Sequence, residues 1–355
     1  VSICGNHFVA RYLQHAYSQL KLYTLAGEFV REIKLPTLGT VAGLTGDRDY
    51  DQIFISFTSY LYPQTIFRYD IANDLLEPFF QAEIDFDPEQ FETVQVFYTS
   101  KDGTRVPMFM TYKKGLQRDG NNPTLLYGYG GYNISMTPSF SASNLVWLEK
   151  GGIYAVACLR GGSEYGEEWH RAGMLENKQN VFDDFIAAAE WLISEKYTRT
   201  EKLAIMGGSN GGLLVGACMT QRPELYAAVV CRVGVLDMLR YHLFSAGRFW
   251  TGEYGNAIER ADHFKFLYAY SPIHNVKFAT VYPKTLIMTA ESDDRVVPMH
   301  SLKFYAALQV AAGNPRDIVL RVERKAGHGA GKPISKTLDE QADIWAFLCD
   351  ALQVN

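Results

Sequence analysis

The sequence predicts two structural parts, an all-β segment over residues 1–82 and an α/β domain over residues 83–355 whose sheet is mostly parallel and covered by helices on both faces. Short β-type runs broken by turn residues fill the first part. From Phe91 onward, strands alternate with helical patterns in which apolar residues recur at three and four. The later strands are apolar throughout, as is typical of parallel strands buried on both faces.

The all-β segment is predicted from four runs separated by polar turns. Their spacing favours antiparallel strands, but the residues alone do not separate a β-sandwich or meander from the blades of a propeller. We detect no strand or helix at the N-terminus itself, and EIDFDPEQFET is expected to cross to the second part. The four runs are LKLYTL, FVREIKL, QIFISFTS and TIFRYDI.

The α/β domain is predicted from eight strands and four helices. Strands that alternate with helices of this length imply right-handed crossovers and a doubly wound sheet. The predicted strands are FETVQVFYTS, RVPMFMTYK, TLLYGYGGY, IYAVACLRGG, KLAIMGGS, AAVVCRVGV, KTLIMTAES and DIVLRVER, and the helices are VFDDFIAAAEWLISEKY, NGGLLVGACMTQ, SLKFYAALQVAAG and TLDEQADIWAFLCDALQ.

Composition excludes several kinds of partner. A net charge of -5 offers no general attraction to nucleic acid or to an anionic membrane, and no stretch reaches the roughly 18 apolar residues of a membrane span. Cys158, Cys218 and Cys231 lie in apolar segments, so we expect buried reduced thiols, no metal and no cofactor. A reducing compartment such as the cytoplasm fits, although a sequence that starts with Val1 leaves a periplasmic or secreted location open.

The stretch GGSNGG carries the clearest chemical signal. Ser209 follows the strand KLAIM and precedes a helix, which is the context of a nucleophile elbow with the form G-x-S-x-G. The N-H groups at the start of that helix favour the negative charge that develops during acyl transfer. A glycine-rich loop without function and a phosphate cradle are the alternatives, but a phosphate loop would carry Lys where Leu213 stands.

A serine nucleophile requires a base and an orienting carboxylate, which follow in the order Ser, Asp, His in hydrolases of this kind. AESDDRVVP and KAGHGAG each follow a predicted strand, so both loops emerge at the same edge of the sheet as Ser209. His328 lies between glycines that allow a close approach to the serine. Asp293 and Asp294 are both candidates for the carboxylate, because spacing does not separate them.

Several of these segments together resemble the prolyl oligopeptidase family. The resemblance runs from about Glu77 to the C-terminus, and the runs before it are similar to the end of that family's seven-bladed propeller. It implies an α/β-hydrolase domain preceded by terminal propeller blades. The segments are YGYGGYN, RGGSEYGEEWH, NKQNVFDDF, GGSNGGLLV, QRPELYAAVV, VGVLDML, SPIHNVK, DDRVVPMHSLKF and KAGHGAGKP.

The resemblance also implies roles for individual residues. Ser209 becomes the nucleophile, His328 the general base, and Asp293 the group that orients the imidazole. The N-H of Asn210 and the phenol of Tyr129 become the oxyanion hole, in which one donor contributes about 2 to 4 kcal/mol in the transition state.

The same resemblance implies a substrate pocket for proline. Trp250 would stack on the proline ring, and Arg295 would hold the carbonyl of the preceding residue. No obvious acid lies in the set, so cleavage after Lys or Arg is disfavoured, because a buried cation would lack its counter-charge. The remaining residues expected to close the pocket are Tyr254, Tyr132, Val235 and Val296.

The implied activity is that of a serine endopeptidase that cleaves short peptides on the carboxyl side of proline. An acylaminoacyl peptidase or esterase, and a catalytically silent binding protein, are the alternatives. Two departures from the family stand out: Tyr132 occupies a position where Phe is more common, and only one to two blades' worth of chain precedes the hydrolase. Either the rest of the propeller is missing from this sequence, or the architecture is reduced. If the chain is a fragment, the missing N-terminal propeller segment is expected to be its partner.

Overall fold

The all-β segment forms two four-stranded antiparallel sheets in a computed structural model that describes residues 1–329 and 331–354. Neighbouring strands in each sheet are consecutive along the chain, as they are in two successive blades of a propeller. The first sheet contains β1 (Ser2–Cys4), β2 (His7–Gln14), β3 (Tyr17–Thr24) and β4 (Phe29–Ile33), and the second contains β5 (Thr40–Gly46), β6 (Gln52–Thr58), β7 (Thr65–Asp70) and β8 (Leu75–Gln81).

Four of these eight strands were not predicted. β1 and β2 occupy the N-terminus, where no strand was expected, and β5 and β8 each contain an irregularity that interrupts the alternation of apolar and polar residues. The pairing register shifts between Val41 and Gly43 in β5, and again where Pro78 of β8 faces Phe67. Bulges of this kind displace side chains from the period of two on which strand prediction depends.

The second part contains one eight-stranded sheet with the order β16-β15-β14-β13-β11-β12-β10-β9. The six strands from β16 to β12 pair in parallel, and β10 and β9 pair antiparallel at one edge. The predicted mostly parallel sheet is therefore confirmed. Its strands are β9 (Phe91–Thr99), β10 (Arg105–Lys113), β11 (Thr124–Tyr127), β12 (Ile153–Ala157), β13 (Leu203–Gly208), β14 (Ala228–Arg232), β15 (Lys284–Ala290) and β16 (Ile318–Glu323).

Helices cover both faces of this sheet. Alternate residues of each strand point to opposite faces, so Leu126 and Ile205 pack with α3, α4 and α7, whereas Leu125 and Ala204 pack with α1 and α8. The doubly wound arrangement is thereby confirmed. The helices are α1 (Ala142–Glu149), α2 (Glu167–Arg171), α3 (Gln179–Ser194), α4 (Asn210–Gln221), α5 (Thr251–Tyr254), α6 (Ala261–Tyr270), α7 (Met299–Ala311) and α8 (Ile334–Leu352).

The two parts contact each other through small apolar clusters. Tyr60 packs against Phe109 of β10, and Leu61 packs with Leu145 and Leu148 of α1. The loops that follow β13, β15 and β16 all leave the sheet at the carboxyl ends of parallel strands, where ligands bind in open α/β sheets. The candidate catalytic residues therefore share one edge.

Candidate active site

Ser209 lies in a strained turn between β13 and α4. Its φ of 58° is in the left-handed region, which is rare for a residue with a side chain. A Cβ on Gly207 would lie 2.1 Å from the carbonyl oxygen of Gly211, and a Cβ on Gly211 would lie 2.8 Å from that of Gly128. The glycines beside Ser209 are thus required by close backbone approach, which is the geometry of a nucleophile elbow.

Asp293 and His328 form the second element of the site. The Nδ1 atom of His328 lies 2.7 Å from Oδ2 of Asp293, a side chain that is completely buried. The other carboxylate oxygen accepts the N-H groups of Arg295 at 3.0 Å and Val296 at 2.9 Å. Both carboxylate oxygens of Asp293 thus have hydrogen-bond partners, and Nδ1 is the imidazole nitrogen that faces this carboxylate.

The neighbouring carboxylate is not part of this arrangement. Asp294 is exposed, and its backbone carbonyl accepts the hydroxyl of Ser245. Within residues 1–329 and 331–354, no hydrogen bond or ion pair joins the Asp294 side chain to His328. Of the two carboxylates that spacing left open, Asp293 is thus the one that contacts His328.

Ser209 and His328 line one cavity of about 210 Å³, together with Arg232 and Lys332. No hydrogen bond joins the side chains of Ser209 and His328 within the described part of the chain. Catalytic hydrogen bonds are often long in unliganded enzymes and shorten when the substrate binds. The three predicted triad residues are thus brought to one place, with the Asp293–His328 contact formed and the Ser209–His328 contact open.

The predicted oxyanion donors lie beside the elbow. Asn210 is the first residue of α4, so its N-H has no acceptor within the helix. The Asn210 side chain donates from Nδ2 to the carbonyl of Tyr129 at 2.5 Å. Burial raises the pKa of the Tyr129 phenol to about 12, so this hydroxyl keeps its proton at neutral pH and can donate it to an oxyanion.

A second cavity, of about 260 Å³, opens on the other side of Ser209. All of the predicted pocket residues except Val296 line it, and no carboxylate is among the lining residues. The Val296 side chain is buried, and its backbone N-H donates a hydrogen bond to Asp293. The lining residues are Tyr129, Tyr132, Ile134, Ser209, Val235, Trp250, Tyr254 and Arg295.

Aromatic contacts hold the walls of this pocket. Trp250 is half-buried and lies nearly parallel to Tyr241, with ring centroids 6.4 Å apart and an interplanar angle of 9°. Tyr132 meets Tyr254 edge to face, with centroids 5.6 Å apart. Arg295 is exposed and makes no ion pair with the residues that the structure describes. The pocket therefore offers flat apolar walls and a single unpaired cation at its edge.

Sequence reasoning missed three residues of this region. Ile134 lines the pocket and is 48% exposed. The one sequence signal for a role in the pocket was its position two residues after Tyr132. Lys178 and Glu253 lie behind the pocket and bind the backbone of the segment that carries Tyr129 and Tyr132. The sequence held no signal for these two, since Lys178 lies among polar residues and Glu253 lies in a mixed segment.

Within the part of the chain that the structure describes, no group of three or more His, Cys, Asp or Glu side chains could hold a metal ion. Among the helices of residues 1–329 and 331–354, none has both the length and the apolarity to cross a bilayer.

Two family models match most of the chain, on either side of residues 83–137. The model described as "Prolyl oligopeptidase family" matches residues 138–355. The model described as "Prolyl oligopeptidase, N-terminal beta-propeller domain" matches residues 1–82. The match over residues 1–82 favours propeller blades over the sandwich or meander that the residue pattern left open.

Individual relatives agree with these models. The prolyl endopeptidase of Elizabethkingia miricola is 49% identical over 97% of this chain and 49% of that protein. The prolyl endopeptidase of Dictyostelium discoideum is 46% identical over 98% of this chain and 46% of that protein. The chain therefore spans about half the length of the curated relatives it matches.

Solved structures show the same similarity. A structure from an analysis of two prolyl endopeptidases has a TM-score of 0.92 and 52% identity, and the match covers 100% of this chain and 52% of that one. Prolyl oligopeptidase B from Galerina marginata, bound to a 35mer hydrolysis and macrocyclization substrate, has a TM-score of 0.92 and 38% identity, covering 100% and 51%.

Proposed function

This chain belongs to the prolyl oligopeptidase family, and from that premise we propose that it is a serine endopeptidase that cleaves short peptides on the carboxyl side of proline. One observation carries the proposal: Ser209 lies between the Asp293–His328 pair and an apolar aromatic pocket. A nucleophile with a base on one side and a pocket for the acyl group on the other can perform acyl transfer.

The first half of the reaction forms an acyl-enzyme. The Nδ1–H group of His328 donates a hydrogen bond to the ionised carboxylate of Asp293, and this tautomer leaves Nε2 free to take the proton of Ser209. The serine oxygen then attacks the carbonyl carbon of proline, and the carbonyl oxygen becomes an oxyanion. The N-H of Asn210 and the hydroxyl of Tyr129 stabilise that charge, and His328 returns the proton to the departing amine.

The second half of the reaction regenerates the serine. Water enters when the amine product leaves, and His328 takes a proton from it while the water oxygen attacks the acyl carbon. The same two donors stabilise the second oxyanion. His328 then returns the proton to Ser209, and the peptide with a C-terminal proline is released.

The shape and charge of the pocket favour proline before the cleaved bond. A proline ring is compact, apolar and without an N-H, so it can lie against the indole of Trp250 without leaving a donor unsatisfied. The lining contains no carboxylate, so a Lys or Arg side chain would be buried without a counter-charge. Arg295 is free to bind the carbonyl of the residue before proline.

The direct test is digestion of a mixed peptide library followed by mass spectrometry of the products. We expect products that end in proline, and none with the Ser209→Ala variant. Products that end in other residues with equal frequency would reject the proline assignment. A simple ester cleaved faster than a Pro-X peptide bond would favour the esterase alternative, and a chain that a fluorophosphonate does not label would favour the silent binding protein.

A further inference from the structure

A buried charged pair lies behind the substrate pocket. Lys178, at the start of α3, and Glu253, in α5, are 1% and 7% exposed. The Nζ atom of Lys178 lies 3.7 Å from Oε1 of Glu253, and Nε2 of His170 lies 2.9 Å from the other carboxylate oxygen. A buried ion pair contributes little stability on its own, because removing two charges from water is costly. Its contacts with the site therefore indicate a role other than general stabilisation of the fold.

Both members of the pair bind the backbone of one short segment, residues 129–133, which we call the oxyanion loop. Lys178 donates from Nζ to the carbonyl of Gly130 at 2.8 Å. Glu253 accepts the N-H of Tyr132 on Oε1 at 3.0 Å. The pair thus holds peptide groups on both sides of Gly131.

The oxyanion loop needs such external contacts. Gly130, Tyr132 and Asn133 have φ angles of 64°, 58° and 58°, and the left-handed conformation is unfavourable for residues that carry a Cβ. Asn210 adds a third contact, from its side-chain amide to the carbonyl of Tyr129. With these contacts removed, the backbone of the loop is expected to relax towards right-handed φ angles.

The two ends of the pair reach different parts of the site. The oxyanion loop carries the Tyr129 phenol and the Tyr132 ring. Glu253 lies in sequence between Trp250 and Tyr254, and the ammonium of Lys178 lies 5.4 Å from the centre of the Tyr254 ring. One buried pair therefore connects the segment that carries an oxyanion donor with the segment that carries the pocket wall.

We propose that Lys178 and Glu253 are positioning residues that hold the oxyanion loop in its left-handed conformation and so direct the Tyr129 hydroxyl at the substrate carbonyl. This inference rests on the proposed peptidase function. Neither side chain lines the pocket, so each acts through Tyr129. Removal of the pair should lower kcat by weakening a contact that forms in the transition state.

A double-mutant cycle tests this role. Glu253→Ala is expected to lower kcat for a proline substrate by about 10- to 100-fold, with a smaller change in KM. In the Tyr129→Phe background, the same substitution is expected to lower kcat by less than about threefold, because the donor that it positions is already absent. Glu253→Gln should recover most of the loss, since its amide oxygen can still accept the N-H of Tyr132.

Matched variants separate positioning from general destabilisation. Asp237→Asn breaks another ion pair of a fully buried carboxylate, with Lys303, and among the described residues neither member has a hydrogen bond or ion pair with the oxyanion loop. The fold loss in kcat that it causes should be the same in the wild-type and Tyr129→Phe backgrounds. The double variant Lys178→Met/Glu253→Gln removes both charges at similar volume, and circular dichroism checks that it folds. Its effect on kcat should likewise be smaller in the Tyr129→Phe background than in the wild-type background.

The cycle is run in parallel on the rate of fluorophosphonate labelling of Ser209, which needs the oxyanion hole but no proline in the pocket. A wild-type chain that is labelled but does not cleave after proline would reject the proposed function, and the labelling rates would still test the inference. Effects of Glu253→Ala and Tyr129→Phe that multiply fully in labelling, as those of the Asp237→Asn control and Tyr129→Phe should, would overturn it.

Discussion

Two walls meet at Ser209 and are held in different ways. The acid–base wall consists of Asp293 and His328, and its carboxylate is held by backbone N-H groups two and three residues further along its own loop. The pocket wall consists of residues 129–134 with Trp250 and Tyr254. Its 129–134 segment is held by Asn210, Lys178 and Glu253, which are distant from that segment in the sequence. The acid–base wall thus depends on local geometry, and the pocket wall depends on tertiary contacts.

This difference predicts that substitutions in the two walls have different effects on catalysis. Loss of the local contacts of Asp293 removes the base and with it nearly all catalysis. Loss of a distant contact to the pocket wall leaves the base in place and weakens charge stabilisation or substrate choice. The largest effects should therefore follow substitutions in the acid–base wall, and the smallest should follow those in the pocket.

The largest expected effect is at the acid–base wall. His328→Ala and Asp293→Asn should each lower kcat by about 10⁴-fold or more, because the first removes the base and the second disturbs its tautomer. Asp294→Asn is the matched control, with an expected loss below about tenfold. Steady-state kinetics on a proline substrate measures all three. Equal losses at the two aspartates would show that the Asp293–His328 contact does not define the wall.

The oxyanion donor on the pocket wall should give the next effect. Tyr129→Phe removes one hydroxyl and is expected to lower kcat by about 10²- to 10³-fold, equivalent to about 2.7 to 4 kcal/mol, with little change in KM. Tyr127→Phe, on the same strand end but outside the pocket lining, is a control for loss of a buried phenol. A loss in KM alone would mean that the hydroxyl binds the ground state.

The buried charge behind the pocket wall should appear in the pH dependence of stability. Burial lowers the pKa of Lys178 from 10.5 to about 8; the groups facing it are Glu253, its partner His170 and the Tyr254 ring. Between these two pH values the unfolded chain binds a proton that the folded chain does not, so stability contributed by this group rises with pH. The slope is at most about 1.4 kcal/mol per pH unit.

Urea unfolding of the wild type and of Lys178→Met between pH 7.5 and 10 measures this contribution. The difference in unfolding free energy, wild type minus variant, should be flat below pH 8 and increase above it. Curves that stay parallel up to pH 10 would show that Lys178 keeps its ordinary pKa. Parallel curves would also show that the Lys178 ammonium behind the pocket wall is not desolvated.

The smallest expected effect is on substrate choice. Trp250→Ala should lower kcat/KM for substrates with proline before the cleaved bond several-fold more than for substrates with alanine, since an aromatic contact contributes on the order of 1 kcal/mol beyond area burial. Phe249→Ala, its exposed neighbour outside the pocket lining, provides the control. An unchanged ratio of proline to alanine cleavage would place the proline ring elsewhere.

Much of the acid–base wall could be predicted from sequence. The order Ser209, Asp293, His328 and the position of each after an apolar strand were enough to expect them at one edge of the sheet, because parallel strands end together. The choice of Asp293 over Asp294 needed the family resemblance, since side-chain direction within a tight loop depends on which backbone N-H groups face inward.

The pocket wall was less accessible to sequence reasoning. The resemblance supplied Trp250 and Arg295, but it also included Val296, whose side chain is buried and whose N-H serves Asp293 instead. Glu253 and Lys178 are 75 residues apart in the sequence and meet only because the turn that precedes α3, residues 175–177, contacts α5. Contacts of that kind have no periodicity from which they could be predicted.

The measurement that tests the central claim most directly is fluorophosphonate labelling of the chain, mapped by peptide mass spectrometry, with and without competing peptide aldehydes. We predict a single label on Ser209, and protection by an aldehyde that ends in proline at concentrations well below those required for the matched aldehyde that ends in alanine. A label on another residue would contradict the assignment of the nucleophile. Equal protection by the two aldehydes would contradict the proline pocket.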